Sequence, residues 1–585
     1  MRYREASPQM DVVTMLTHEQ VVTQAVKGIN KLSKVIDWEL FREELESVLG
    51  YAKRDWSKGG RPPFDPVLMF KVLVLQKFHG LSDEECEFQV KDRFSFMKFL
   101  ELHAGDAVPD ARTIWDFKQA LERDEPVIAV YFLCDQQWDS HDVAPLRRWY
   151  VLQSLLELGE ALAERGVDLH VLDAGDFAAV PALMADFVRE HGIERLFCSR
   201  EYPLNELNRD RAVAQAMEPL GVQITGFDDS VLVPPRTLNT GKGTPYTVFS
   251  AFKKRWDVWL ESHFEPVATL SAARAGNGCF VGKGVVERAL KKLTVPDSLT
   301  RHWQPGEAAA LKQLDDFAEH HLAGYRKHRD FPSQPATSAL SAALSAGTLS
   351  PASCYRAATL AMADAGARDG AACWIGELAW RDFYRQIMAR FPRVSRGGAF
   401  RPETELLQWS QDPDLFQAWC EGRTGYPLVD AAMRQLVATG WMHNRLRMVT
   451  AMFLSKHLWL DWRMGERFFM QHLIDGDFAA NNGGWQWSAS SGTDAVPYFR
   501  VFNPVRQSQR FDAQGEFIAR WVPALRELDN KTVHEPWKQP LLAPDYPPPV
   551  VPHAGVRERV TEAFKAAKAQ YDDSNHSPTS RKEQA

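Results

Sequence analysis

The sequence predicts a multidomain chain: an extra N-terminal helical segment, a doubly wound parallel α/β domain, and an all-helical domain. Three observations predict it. Residues 18–122 carry apolar positions at three- and four-residue steps, interrupted by GRPPFDP at 60–66. From Pro126 the pattern changes to short apolar runs alternating with amphipathic stretches, the rhythm of a parallel sheet. From residue 307 the chain reads almost entirely helical. At 585 residues it is also too long for a single core.

In the first segment, residues 18–49 read as helical, with Val21, Val22, Ala25, Ile29 and Leu32 on one side. GRPPFDP stops that pattern, and VLMFKVLVLQKF at 67–78 resumes it. Ser82-Asp83-Glu84-Glu85 reads as a helix start, and Asp110 as the N-cap of a last helix over PDARTIWDFKQAL. The α/β rhythm begins with VIAVYFL (127–133) and a helix over 146–165. VDLHVLDA (167–174), a helix to about 191, IERLFCS (193–199), a helix over 205–219 and VQITGF (222–227) follow. No GxGxxG or GxxxxGK[ST] string occurs, so a standard dinucleotide or P-loop site is not signalled. The boundaries are set at 1–124, 125–265 and 307–537, with a loop-rich linker at 266–306 and a tail at 538–585. The tail is proline-rich to 552 and reads as disordered from 571.

The totals narrow the function. Net charge is −7, so no global basic signature points to nucleic acid, although a local patch can still act. Seven cysteines lie scattered without CxxC pairs, which argues against a disulfide framework or a metal site. Without a run of 18 apolar residues or a signal-peptide core, a cytoplasmic protein with no membrane partner is expected. Ten of the 19 tryptophans fall in residues 371–521, which directs attention to the helical part. There DGDFAANNGGWQW (475–487) places two acids, two asparagines, a glycine pair and two tryptophans together. Glycine admits close backbone approach, Trp offers a flat π-face, and acids and amides bond polar edges. Those residue types suit a flat, polar-edged ring system.

Longer motifs carry a family resemblance. They are YRKHRDFP (325–332), TSALS (337–341), WIGELAWRDFYR (374–385), GYPLVDAAMRQL (425–436), WMHNRLRMV (441–449) and DGDFAANNGGWQW. In this order, segment 126–570 resembles the class I cyclobutane-pyrimidine-dimer DNA photolyases of the photolyase/cryptochrome family. Residues 8–122 resemble the N-terminal helical domain of insertion-sequence transposases, chiefly in GRPPFDPVLMFKVLVLQKFHGLSDEE; no transposase catalytic domain follows. The resemblance implies an α/β antenna domain, an all-helical FAD-binding domain, and light-driven repair of pyrimidine dimers by electron transfer from reduced FAD. It further implies UV-damaged DNA as partner, a monomer, FAD as cofactor and 5,10-methenyltetrahydrofolate as a second chromophore. The alternatives are a cryptochrome-like photoreceptor without repair, and a photolyase or transposase fragment inactivated by fusion.

The resemblance also assigns residues. Tyr325, Thr337, Ser338, Leu340, Ser341, Trp374, Glu377, Arg381, Asn444, Arg447, Asp475, Gly476, Asp477 and Asn481 match the FAD pocket, with Arg447 and Asp475 as an ion pair and Asn481 facing the flavin. Trp409, Trp462 and Trp485 match electron-relay tryptophans, and Glu377 and Asn481 are also placed in the catalytic set; Trp419 and Trp459 read as core. Photolyases as a class take the target nucleotide out of the stack. Trp380 and Trp487 match the aromatics that receive it, and Arg329, Tyr384, Arg445, Met448 and Gln507 match other DNA-facing positions. Arginines of 441–470 are expected on phosphate. His141, Asn205 and Glu206 match the folate site, and Arg396 stands where relatives often have lysine. One departure is large. The WFRxDLRxxDN strand and helix that open the family are missing before VIAVYFL, so a central strand is absent and sheet edges are left open. DVVTML at 11–16 is the only upstream substitute strand.

Overall fold

The computed structural model of the protein describes residues 36–49, 51, 63–103, 105–121, 127–264 and 277–576. The chain divides into two compact units, Met1–Pro126 and Val127–Ala585. No helix among the described residues is long and apolar enough to cross a membrane.

The first unit contains α1 (Arg42–Val48), α2 (Pro66–His79), α3 (Asp83–Asp92), α4 (Phe94–Phe99) and α5 (Ala111–Leu121). Its helix starts follow the sequence signals. Asp65 accepts from the N–H groups of Val67 and Leu68 with Pro66 in the first turn of α2. Ser82 and Glu85 form a reciprocal capping box on α3, and Asp110 accepts from Thr113 N at 2.7 Å. Trp38, Val72, Leu75, Phe96 and Phe99 share its core. The 18–35 part of the first expected helix and the DVVTML run lie outside the described residues.

The second unit opens with β1 (Ile128–Leu133), α6 (Pro145–Ala163), β2 (Asp168–Asp173), α7 (Val180–His191), β3 (Arg195–Ser199), α8 (Leu204–Met217) and β4 (Gln223–Phe227). These match the expected strands and helices within a few residues. The sheet, however, comes in two pieces. β1 pairs with β2 in parallel from Ile128↔Asp168 to Leu133↔Asp173, and β3 pairs with β4 in parallel from Arg195↔Gln223 to Ser199↔Phe227. No described strand joins β1 to β3. This is the physical result of the missing opening strand, and it leaves Phe197 60% and Phe227 51% exposed on the smaller piece.

Two expectations need correction. Residues 266–306 are not all loop: after α9 (Phe249–His263), β5 (Phe280–Val281) adds to β2 and α10 (Lys283–Lys292) packs behind it. The tail is also structured further than expected. A C-terminal helix, numbered below as the last of the fold, runs Val556–His576 and buries Val556 and Val560. Both segments find apolar partners far away in sequence, which a local reading cannot supply.

The helical layer contains α11 (Glu307–His320), α12 (Arg368–Arg390), α13 (Pro427–Thr439), α14 (Asn444–Met452), α15 (Trp462–His472), α16 (Phe478–Ala489), α17 (Pro504–Phe511) and α18 (Val556–His576). The 23-residue α12 runs through the layer. Its buried Asp382 accepts from Trp256 Nε1 at 2.9 Å, Leu232 N at 2.9 Å and Val233 N at 3.0 Å. That fastens the loop after β4 onto α12 and brings Ser230 to the site described next.

Candidate functional site

Three helices, α12, α14 and α16, line one polar cleft. α12 supplies Trp374, Glu377, Arg381 and Arg385; α14 supplies Asn444 and Arg447; the turn before α16 supplies Asp475, Gly476 and Asp477. Asp477 caps α16, accepting from Ala480 N at 2.8 Å. Arg447 Nη2 holds Asp475 at 2.8 and 3.1 Å, the expected ion pair. Asn481 donates its amide to the carbonyl of Glu466 at 3.0 Å, so its Oδ1 is turned away from that contact. Tyr325 and Trp374 close one wall through Phe317, with ring centroids 5.8 and 4.9 Å away. In the 337–341 run, Ser338 O accepts from Gln313 Nε2 at 2.7 Å and Ser341 Oγ accepts from Trp441 Nε1 at 3.4 Å. Ala339 sits at φ 50, in the left-handed region. An L-residue there marks a turn whose successive N–H groups can converge on an anion.

The electrostatics of this cleft are unusual. Arg385 Nη2 lies 2.6 Å from Asp477, and its Nη1 donates to Ser230 Oγ at 3.0 Å. Arg381 donates only to carbonyls, those of Ser230 and Leu344. Burial, with Arg385 adding repulsion, pulls the Arg381 guanidinium down to about 10. Burial opposes ionisation of Asp477, yet Arg385, Arg381 and Arg147 hold its carboxyl at about 2. Arg147, from α6, donates to the carbonyl of Gly476. Four guanidiniums, Arg147, Arg381, Arg385 and Arg447, thus stand around two carboxylates, Asp475 and Asp477. The excess is two positive charges. All four arginines are partly buried and keep some accessible surface. Such a cleft suits a dianionic group, and the pyrophosphate of FAD is one. The donor set therefore fits FAD. Arg147, Arg385 and Ser230 were missed by sequence reading, because only the fold brings them to the 475–477 turn.

The tryptophans are graded in exposure. Trp485 and Trp462 are buried in one core cluster, and partly buried Trp409 packs against it. Trp485 Nε1 has no hydrogen-bond partner among the described residues. Trp419, read as core, is fully buried with its ring 6.0 Å from Trp485; Trp459 lies 4.8 Å from Trp409.

The other predicted residues form an adjacent face. Trp380 stacks on Phe249 at 3.6 Å and 7°, with Tyr384 at 5.5 Å, making an aromatic wall, and Trp487 on α16 is half-buried. Arg329 pairs with Glu377, and Arg445 pairs with Asp330 at 2.8 Å while lying over Phe511 and near Met448 Sδ. Gln507 stands on α17. Among the cations of 441–470, some of which are expected on phosphate, Lys456 is buried and the arginines carry ion pairs. Arg445, Arg447, Arg463 and Arg467 are committed to Asp330, Asp475, Glu405 and Asp142, and buried Lys456 donates to the carbonyls of Tyr498 and Arg500. Exposed Arg506 and Arg510, which flank Gln507, have no ion pair among the described residues. In the α/β layer Asn205 Nδ2 meets His141 Nε2 at 3.0 Å, and the preceding Leu204 N donates to Ser395 Oγ at 2.8 Å, one residue before Arg396. Burial, with Glu201 adding repulsion, raises the Glu206 carboxyl.

Known proteins match this arrangement. Residues 374–566 match the FAD binding domain of DNA photolyase, and residues 111–270 match the DNA photolyase family model. The deoxyribodipyrimidine photo-lyase of Salmonella typhimurium is 43% identical over 455 residues, covering 76% of this chain and 93% of its own length. This chain belongs to the DNA photolyase family. The deoxyribodipyrimidine photo-lyase of Escherichia coli K12 is 42% identical over 449 residues, again covering 76% and 93%. A crystal structure of a bacterial class III photolyase from Agrobacterium tumefaciens superposes with a TM-score of 0.67 at 34% identity, covering 77% of this chain and 94% of that one. Ahead of the photolyase part, residues 18–120 match a transposase domain, DUF772.

Proposed function

We propose that the arginine-lined cleft holds one FAD, and that the chain is a light-driven lyase that splits cyclobutane pyrimidine dimers in DNA. The observation that carries this reading is the sharing of helices between cleft and aromatic face. α12 carries Arg381 and Arg385 on the cleft and Trp380 and Tyr384 on the face; α16 carries Asn481 on the cleft and Trp487 on the face. A flavin and a flipped dimer are then neighbours by construction. Bound FAD, once reduced and excited by light, supplies the electron that opens the cyclobutane ring and takes it back afterwards.

The chain's own residues do the rest. Arg381, Arg385 and the 337–341 turn bind the diphosphate. Arg447, fixed by Asp475, orients the ring edge, and Asn481, held by the Glu466 carbonyl, presents an acceptor to a ring N–H. Trp380, Tyr384 and Trp487 stack on the extruded bases and keep water from them. Glu377, paired with Arg329, offers its second oxygen to the dimer. Arg506 and Arg510 contact phosphate alongside the arginines expected from the sequence, and binding weakens as salt rises.

Trp409, Trp462 and Trp485 refill oxidised flavin with electrons from the solvent side. Among the described residues the Trp485 indole N–H has no acceptor, so an oxidised Trp485 would be restored by an electron from its neighbour and not by loss of its proton. Trp485→Phe keeps bulk and removes the oxidisable indole. Under blue light with a thiol reductant, that variant is expected to lose photoreduction of the flavin while the chemically reduced protein still repairs. Photoreduction at the parental rate would remove Trp485 from the relay.

A further inference from the structure

Arg147 lies outside the matched FAD binding domain, in α6 of the α/β layer. Its guanidinium nevertheless reaches the helical layer and donates to the carbonyl of Gly476. That carbonyl belongs to the turn that holds Asp475 and Asp477. The start of α6 and the loop before it are clasped to the same region by three more contacts. Ala144 N donates to Met470 O at 3.1 Å, Gln471 Nε2 donates to Asp142 Oδ1 at 2.8 Å, and Arg467 Nε lies 3.3 Å from Asp142. Among the described residues Arg147 has no carboxylate within ion-pair distance; Asp477, Asp475 and Glu201 act on it through space, against the cost of burial. A buried cation so placed needs a nearby anion to offset its desolvation. Both carboxylates are already paired, Asp475 with Arg447 and Asp477 with Arg385.

We propose that Arg147 is a positioning residue for the flavin, supplied by the α/β layer. Its hydrogen bond fixes the Asp475-Gly476-Asp477 turn, and its charge favours the reduced, anionic form of the cofactor. The proposal rests on the FAD reading above and extends it: the flavin pocket is not complete within the helical layer. A purely mechanical prop would set how firmly the turn is held but would leave the reduction potential where it was.

The test uses full-length protein loaded with FAD, with Arg147→Gln, Arg147→Lys and, as control, Arg148→Gln. Arg148 sits on the next position of α6 but is engaged with Asp139 and the carbonyl of Val143. Spectroelectrochemistry gives the midpoint potential, and flavin fluorescence on dilution gives the FAD dissociation constant. Arg147→Gln keeps a donor for Gly476 and loses the charge; it is expected to lower the midpoint potential and weaken FAD roughly tenfold, the scale of one lost charge interaction. Arg147→Lys is expected to keep the parental potential, and Arg148→Gln to keep both values. A parental potential in Arg147→Gln overturns the proposal, as does failure of that variant to fold, which would make Arg147 merely structural. A parent that binds no FAD overturns both this proposal and the FAD reading; a parent that binds FAD with unshifted Arg147→Gln overturns this proposal alone.

Discussion

Glu466 holds its proton because of where it lies. Burial raises its carboxyl to about 7, while the amide of Asn482, donating to Oε1 at 2.8 Å, pulls the other way. Asn482 Oδ1 in turn accepts from Gln486, and Gln486 Oε1 accepts from Phe400 N. The sign of the pH effect follows. Between the ordinary value of 4.5 and about 7, the unfolded chain has released this proton and the folded chain has not. The group's favourable contribution is therefore complete below 4.5, falls as pH rises through that window, and is lost above it. Glu466→Gln, which keeps the acceptor and cannot ionise, is expected to flatten the decline of the urea midpoint between pH 5 and pH 8. Parallel curves for variant and parent would contradict this. At this scale the sequence was informative where neighbours act together: Asp475, Asp477 and Asn481 share one motif. It was silent where a role depends on residues far apart, as for Arg147 on Gly476 or Ser230 on Arg385. A charge count over 441–470 could not tell a phosphate ligand from an arginine already held by Glu405 or Asp142.

Among elements, the packing of α15 on α16 fixes the Trp485 ring of the proposed relay. Gly465 on α15 is buried against the Trp485 ring of α16, and a Cβ at Gly465 would overlap that ring. Trp485 is further boxed by Trp419 and Phe469, with ring centroids 6.0 and 5.0 Å away. Gly465→Ala must push the indole or the helix aside. It is expected to cost about 1–3 kcal/mol, the usual range for overpacking a core, and to slow flavin photoreduction. Denaturant unfolding and photoreduction rates check both; a variant at parental values would show the ring free to move. Helix starts were legible, since Asp65, Ser82 and Asp110 cap locally. The linker was not. β5 is two residues long and exists because Phe280 and Val281 find β2 more than a hundred positions away. KGVVERALKK, by contrast, has an amphipathic helical pattern that could have been recognised.

At the scale of the whole molecule, the α/β and helical layers form one compact unit. The motifs made the family legible, and the missing opening strand announced a broken sheet. How the chain responds was not legible, because it depends on contacts such as Ala144 with Met470. The split has a consequence for the second chromophore. His141 follows β1 and Asn205 follows β3, two strands in separate sheets, so no strand pairing backs the 3.0 Å contact between them. Methenyltetrahydrofolate is therefore expected to bind weakly, with no near-ultraviolet gain in the repair action spectrum. Tight stoichiometric binding on titration, with efficient energy transfer, would show that the two sheets are held as firmly as one. The central claim, that cleft and aromatic face act together on DNA, is tested most directly by illumination. Reduced, FAD-loaded protein is mixed with an oligonucleotide carrying one thymine dimer, and restored thymine absorbance is followed in light and in darkness. Recovery in light and none in darkness is expected; no recovery in light from protein that holds its flavin would contradict the account.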